Sequence, residues 1–215
     1  MCQFFSCVIT KPKKVFYSEL SDSHEDIIKS NNLDDSENGK LRELFCRIEI
    51  LPPNGDVFAD FSLWKLRVDE KEKPSWFTDK HEEACMIVAK KVIDKFVLID
   101  KTVQEIKEGK YYLKNSTIKY MTDSSTIKSM YGSSTVERMS GSSTVKYMTD
   151  SSTVKYMTDS STVKSMSGSS TVERMYGSST VERMYGSSIA IDRINGIIYK
   201  PKDKKYRQKS VKGVK

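Results

Sequence analysis

The chain has 215 residues, 37% of them hydrophobic, which is enough for one domain or two. Its net charge of +7 is unevenly placed: residues 1–120 sum to −1, the repeats to Arg183 to +1, and Asp192–Lys215 to +7, so the basic character belongs to the tail and not to the whole chain. No apolar run approaches the roughly 18 residues of a membrane span, and Met1–Thr10 carries its lysines after its apolar run, where a signal peptide carries them before.

The expectation is a soluble, cytoplasmic protein. Cys2, Cys7, Cys46 and Cys85 are scattered without close Cys-x-x-Cys pairs, so reduced, partly buried thiols are expected and no metal site. No cofactor is implied.

In chain order, Lys13–Leu20 reads as a strand around the β-prone Val15-Phe16-Tyr17. Ser23 then caps a helix start, with Asp26 three residues on. Residues 31–40 are a polar, acidic loop. Phe45–Leu51 alternates as a half-buried strand. Asn54-Gly55 between β-prone runs is a hairpin signal, with the return strand inside Phe58–Val68.

After a charged loop at Glu70–Pro74, Asp79–Asp100 carries the best helical pattern: Ala84, Ile87, Val88, Lys91, Val92, Phe96 and Val97 recur at helical spacing. Thr102–Gly109 is expected as a short second helix, and Lys110–Leu113 leads into the repeats. This is an α+β domain over residues 1–111. It shows no catalytic arrangement. His24 and His81 lie in no metal-binding spacing, there is no phosphate-binding Gly-rich loop, and Trp64 and Trp76 are expected in the core or at a domain contact. An enzyme is not expected.

The rest of the chain is organised by a nine-residue text: Met, x, Asp or Gly, Ser, Ser, Thr, Val, x, x. Its apolar positions are Ile118, Ile127, Val136, Val145, Val154, Val163, Val172 and Val181, and Met121, Met130, Met139, Met148, Met157, Met166, Met175 and Met184. Asp or Gly tolerates the left-handed backbone of a corner, and Ser-Ser-Thr-Val suits a strand better than a helix. Stacked units make a β-solenoid over residues 112–187, with Val and Met inward, the variable pair outward and Thr in a ladder of its own. A flexible linker would not hold Val and Met in register.

A coil must hold two units (18 residues) or three (27). At 18, one outward ladder reads Lys119, Glu137, Lys155, Glu173 and its neighbour Tyr120, Arg138, Tyr156, Arg174, so opposite charges stack and each Arg lies between rings. At 27, like charges meet. The ladders favour 18, although Lys128, Lys146, Lys164, Glu182 on the opposite side is less favourable, and duplication of a three-unit block could give the same order. The array needs covered ends. The N-terminal domain is expected at one, and a hairpin cap over residues 188–199, containing Ile194–Tyr199, at the other.

The segments Val-Phe-Tyr-Ser-Glu-Leu from Val15, Phe-Cys-Arg-Ile-Glu-Ile-Leu-Pro-Pro-Asn-Gly-Asp from Phe45, and Leu66-Arg67-Val68-Asp69 with Pro74-Ser75-Trp76-Phe77, followed by Ser-Ser-Thr-Val repeats, resemble a set of uncharacterised bacterial and phage proteins. Relatives in that set carry Gly-Gly-Thr-Val-type units. The resemblance implies an N-terminal α/β domain on a β-solenoid, virion association if the chain is phage-encoded, and no activity. Toxin-type calcium β-rolls need Asp and Gly in every unit, whereas only Asp123, Asp150 and Asp159 occur at the corner here, so a calcium array is not expected. The near-neutral array also gives DNA mimicry no physical basis.

The expected function is therefore non-enzymatic: a structural or interaction protein presenting a rigid solenoid to a protein partner, or to its own copies through an edge or face. The alternative is nucleic-acid association through the basic tail, residues 200–215, expected to be disordered, by Lys200, Lys202, Lys204, Lys205, Arg207, Lys209, Lys212 and Lys215. No membrane partner is expected. Ice binding by the Thr ladder is disfavoured because each Thr lies two positions from Lys or Glu.

Overall fold

The computed structural model describes residues 4–19, 21–33, 45–192, 197–201 and 211–212. They fall into two units, Met1–Lys95 and Phe96–Lys215.

In the first unit the apolar start forms β1 (Phe5–Thr10), which turns at Lys13 (φ 67°) into β2 (Val15–Tyr17). The helix α1 (His24–Ser30) opens where Ser23 Oγ accepts the Asp26 N–H at 3.4 Å. β3 (Phe45–Leu51) pairs antiparallel with β1 and with β4 (Lys65–Val68), giving the sheet order β2-β1-β3-β4.

As a central strand β3 is buried on both faces rather than half-buried. Its two charged residues tolerate this because they are paired. Arg47 meets Glu70 at 2.9 Å, and the buried Glu49 meets Arg67.

The hairpin signal holds only in part. Asn54 and Gly55 are both left-handed (φ 52° and 76°), but the chain makes short 3-10 turns at Pro53–Gly55 and Phe61–Leu63 before β4 begins. Asp56 and Asp60 carboxylates accept the Phe58 and Ser62 N–H at 2.9 and 2.8 Å, offering this backbone an alternative to the ladder.

The second helix, α2, is Asp79–Phe96 and stops short of the expected Asp100. It buries His81, Cys85, Ala89, Val92 and Ile93. Ile87, which the sequence placed in the helical pattern, is 63% exposed because the buried stripe is rotated away from it.

The second unit is a parallel β-solenoid of about 5 turns from residue 97 to 190. It begins with β5 (Val97–Ile99), β6 (Thr102–Ile106) and β7 (Lys110–Lys114), so the coil starts ahead of the nine-residue text. The helix expected over Thr102–Gly109 is therefore a strand and a corner. Thr102-Val103-Gln104-Glu105-Ile106 already has the unit's strand pattern with Ile in place of Met, and β-branched residues at the pairing positions favour the ladder.

The strands continue as β8 (Thr117–Met121), β9 (Thr126–Tyr131), β10 (Thr135–Met139), β11 (Thr144–Met148) and β12 (Thr153–Met157). They then shorten to β13 (Thr162–Val163), β14 (Thr171–Val172) and β15 (Thr180–Val181) before β16 (Ile189–Asp192). Even-numbered strands from β6 to β16 form one sheet and odd-numbered strands from β5 to β15 the other. Each sheet finishes on an antiparallel strand: β17 (Ile197–Tyr199) on β16, and β18 (Val211–Lys212) on β15.

Like stacks on like. Thr135 pairs with Thr153, Val136 with Val154 and Met139 with Met157, and the Ser116 N–H donates to Ser134 Oγ across the same separation of 18 residues. The first coil is shorter: the Lys101 N–H reaches Ser116 Oγ over 15 residues, and a bulge at Tyr111/Tyr112 absorbs part of the difference.

The Val/Ile and Met rows form one continuous core from Ile118 to Met184, extended by Leu98, Ile106 and Leu113 in the early coils. A third row lies inside as well. The second serine of each unit, including Ser125, Ser134, Ser152 and Ser170, is fully buried beside the corner. Hydroxyls of Ser125, Ser134, Ser152 and Ser161 donate to the carbonyl three residues earlier at 2.6–2.8 Å. Those of Ser143, Ser170, Ser179 and Ser188 have no partner among the described residues.

Candidate functional site

Among the described residues of the first unit, both histidines and both tryptophans make structural contacts. His24 Nδ1 is 3.2 Å from Asp69 Oδ2 and its Nε2 3.0 Å from the Ile48 carbonyl. His81 Nδ1 accepts the Thr78 N–H at 3.2 Å, which leaves the proton on Nε2, donated to the Lys11 carbonyl at 2.9 Å. Both imidazoles tie segments together and keep no nitrogen for a substrate.

Trp64 is buried, its Nε1 donating to the Ala59 carbonyl at 3.2 Å and its ring packed edge-on to Phe4. Trp76 packs edge-on to His81. Cys7, Cys46 and Cys85 are free and buried. The hydrogen bond to Cys85, then burial, push the Cys7 thiol well above its ordinary range. Burial, then the nearby Glu70, push Cys46 up to about 12. Such thiols stay protonated at neutral pH and are poor nucleophiles. Cys2 lies outside the described residues.

The solenoid offers two outward faces. On the even sheet Lys119, Glu137, Lys155 and Glu173 share a column, and Lys155 Nζ meets Glu137 Oε1 at 3.3 Å. In the next column Tyr120, Arg138 and Tyr156 stand opposite one another, with Arg174 following. The Arg138 and Arg174 guanidinium carbons lie 5.4 and 4.6 Å from the Tyr156 ring centroid, and Arg174 also donates to the Tyr156 hydroxyl. This face closes a Lys–Glu pair and two Arg–Tyr contacts between its coils.

On the odd sheet the register Ile127–Val145–Val163 puts Lys128, Lys146 and Lys164 in one column, with Glu182 beyond them. The neighbouring column carries Ser129, Tyr147, Ser165 and Arg183, and Tyr147 is 59% exposed. Among the described residues neither Lys146 nor Lys164 forms an ion pair.

The corners between the faces alternate Asn or Asp with Gly until the last coil, where Gly186 follows Gly168. One column runs Asn115, Gly132, Asp150, Gly168, Gly186 and the other Asp123, Gly141, Asp159, Gly177, all with φ between 51° and 64°. A Cβ on Gly168 would sit 2.7 Å from the Asp150 backbone nitrogen, so a side chain is excluded directly above an Asp. The aspartates face the preceding coil instead. Asp150 accepts the Gly132 N–H at 2.9 Å and Asp159 the Gly141 N–H at 3.0 Å. These carboxylates are structural acceptors. No group of three or more His, Cys, Asp and Glu among the described residues is placed to hold a metal ion.

Of the basic-tail candidates, Lys200 is exposed and Lys212 pairs through its backbone with Thr180, while Lys202, Lys204, Lys205, Arg207, Lys209 and Lys215 lie outside the described residues. Ile194-Asn195-Gly196 of the expected hairpin lies outside them too, and among the described residues no helix is long and apolar enough to cross a membrane. Sequence reasoning missed the buried serine row and the corner alternation. The signal for both was present, since the second Ser never varies within the text and no corner Asp has another Asp 18 residues away, Asp123 and Asp159 standing 36 apart with Gly141 midway. No family model, curated protein or solved structure matches the chain.

Proposed function

We propose that the chain is a non-enzymatic structural or interaction protein whose working part is the solenoid surface. The reading rests on one observation above others: outward side chains stand in straight columns on two parallel sheets over a continuous buried core. A rigid lattice of this kind presents a repeating charge pattern at low entropic cost. In the same reading the nine-residue unit is half a coil and β17 with β18 is the C-terminal cap. Deleting residues 193–215 should then free the edges of β15 and β16 and give concentration-dependent assembly by light scattering. A chain that stays monomeric would remove the capping role.

The test of the main reading is site-specific photo-crosslinking in the native host, with the reactive group at position 146 or 155. A discrete adduct is expected from at least one face, lost on charge reversal of that face. Absence of any adduct from both faces would end the reading. The second reading, nucleic-acid binding through the tail, draws support from the backbone pairing of Val211 and Lys212 with β15 of the odd sheet.

A further inference from the structure

We propose that the odd sheet is a docking face for single-stranded nucleic acid, contacted by Lys128, Lys146, Lys164 and Arg183 through phosphates and by Tyr147 through a base. This rests on the solenoid as an interaction surface and names the face and the partner.

Like charges directly opposite one another in a sheet destabilise it, so a column of three lysines costs the fold something it does not need. The even sheet shows that the same text can avoid the cost, because its column alternates and closes the Lys155–Glu137 pair. Lys146 and Lys164 form no ion pair among the described residues. Asp150 and Asp159 are turned to backbone N–H groups at the corners, and Glu182 stands at the far end of the column beside Arg183.

The neighbouring column adds an exposed ring, Tyr147, beside Lys146. On the even sheet the equivalent ring of Tyr156 is taken by two arginines. An uncovered tyrosine within a row of cations is the pairing that single strands use, with the base stacked and the backbone neutralised. Geometry favours a single strand over a duplex. Successive coils set the lysines about 4.8 Å apart in a straight line. A flexible strand can lie along that line, whereas the phosphates of a duplex wind away around its axis.

The experiment is fluorescence anisotropy of the full chain with a labelled oligouridine across a salt series. Binding should weaken with salt, with a slope of about −0.7 for each phosphate contacted. Lys146→Gln with Lys164→Gln should reduce that slope by about 1.4 and weaken binding about tenfold at physiological salt. Tyr147→Ala should weaken oligouridine binding about 5- to 150-fold while leaving inorganic polyphosphate binding unchanged. Lys155→Gln, on the even sheet, should change neither.

If the double variant loses its fold by circular dichroism, Arg183→Gln takes its place, with an expected slope change of about 0.7. Wild-type binding by the folded variants overturns the proposal. So does binding that disappears only when the tail lysines are replaced, or that transfers equally to phosphatidylserine vesicles with no effect of Tyr147→Ala. A crosslinked protein adduct at position 146 without oligouridine binding would leave the interaction reading standing and remove only the nucleic acid.

Discussion

The even and odd sheets are written in one nine-residue text and share one core, yet their outer faces solve the charge problem in opposite ways. On the even sheet Lys alternates with Glu and Arg with Tyr, and contacts such as Lys155–Glu137 and Arg174–Tyr156 close between coils. On the odd sheet lysine follows lysine, and Tyr147 is left uncovered. The backbone demands only Thr, Val and Met at their places. What occupies the variable pair is free to serve stability on one side and something else on the other.

The largest expected effect tests the premise that the two faces share a core. Val154 on the even sheet and Val163 on the odd sheet are both fully buried between identical neighbours. Val154→Asp or Val163→Asp strands a carboxylate in the Val row and should each cost several kcal/mol. Thr153→Ser, at a half-buried outward position, should cost less than about 1 kcal/mol by urea denaturation. Equal losses for the valine and threonine variants would mean that the inward and outward rows are wrongly assigned.

Next come the corners. Gly168 stands over Asp150 with 2.7 Å available to a Cβ, and Gly177 over Asp159 with 3.1 Å. Gly55 has a left-handed φ too but open space around it. Gly55→Ala should cost about 1–2 kcal/mol from the backbone conformation alone. Gly177→Ala should cost more, and Gly168→Ala the most, because backbone must move. Thermal melts of the three variants check the order, and a Gly168→Ala loss no larger than that of Gly55→Ala would show that the stack yields easily.

A smaller effect separates serines that look identical in sequence. Ser152 Oγ donates to the Thr149 carbonyl at 2.7 Å, whereas the equally buried Ser170 Oγ has no described partner. Ser152→Ala should cost about 0.5–1.5 kcal/mol, the usual worth of a hydrogen bond. Ser170→Ala should be neutral or stabilising, since it removes an unsatisfied polar atom. Chemical denaturation resolves the two, and loss at Ser170 equal to that at Ser152 would point to a bound water.

How much of this was legible depends on how strictly the text repeats. The Val and Met rows could be read because nine-residue identity leaves few ways to stack, and the alternation at Lys119, Glu137, Lys155 and Glu173 pointed to eighteen residues a coil. The coils before Tyr112 could not. Leu98, Ile106 and Leu113 fill the same core, but their spacing drifts, and Thr102–Ile106 is short enough to pass for a helical turn. The buried serines were hidden by polarity, since nothing in a hydropathy pattern marks a hydroxyl that bonds its own corner. The odd face could be listed as unfavourable from sequence, but its contrast with the even face needed the register and the ring contacts around Tyr156.

The smallest expected effect sharpens the comparison most, because it reverses sign between the faces. Lys146→Glu would place an acid between Lys128 and Lys164, turning the like-charged column into the alternating pattern of the even sheet. Each new opposite-charge contact is worth about 0.2–1 kcal/mol, reduced by solvent at exposed positions. The variant should therefore be slightly more stable than the wild type in low salt, and the gain should shrink as salt is added. Glu137→Lys makes the mirror change: it breaks the pair with Lys155 and puts three lysines in a row, so it should destabilise by a similar amount. If the odd face is a binding surface, Lys146→Glu buys its stability by abolishing oligouridine binding, as expected where function keeps a fold away from its optimum. A Lys146→Glu protein that is less stable than wild type would show that the lysine column already has a stabilising role, and the functional reading of its like charges would lose its basis.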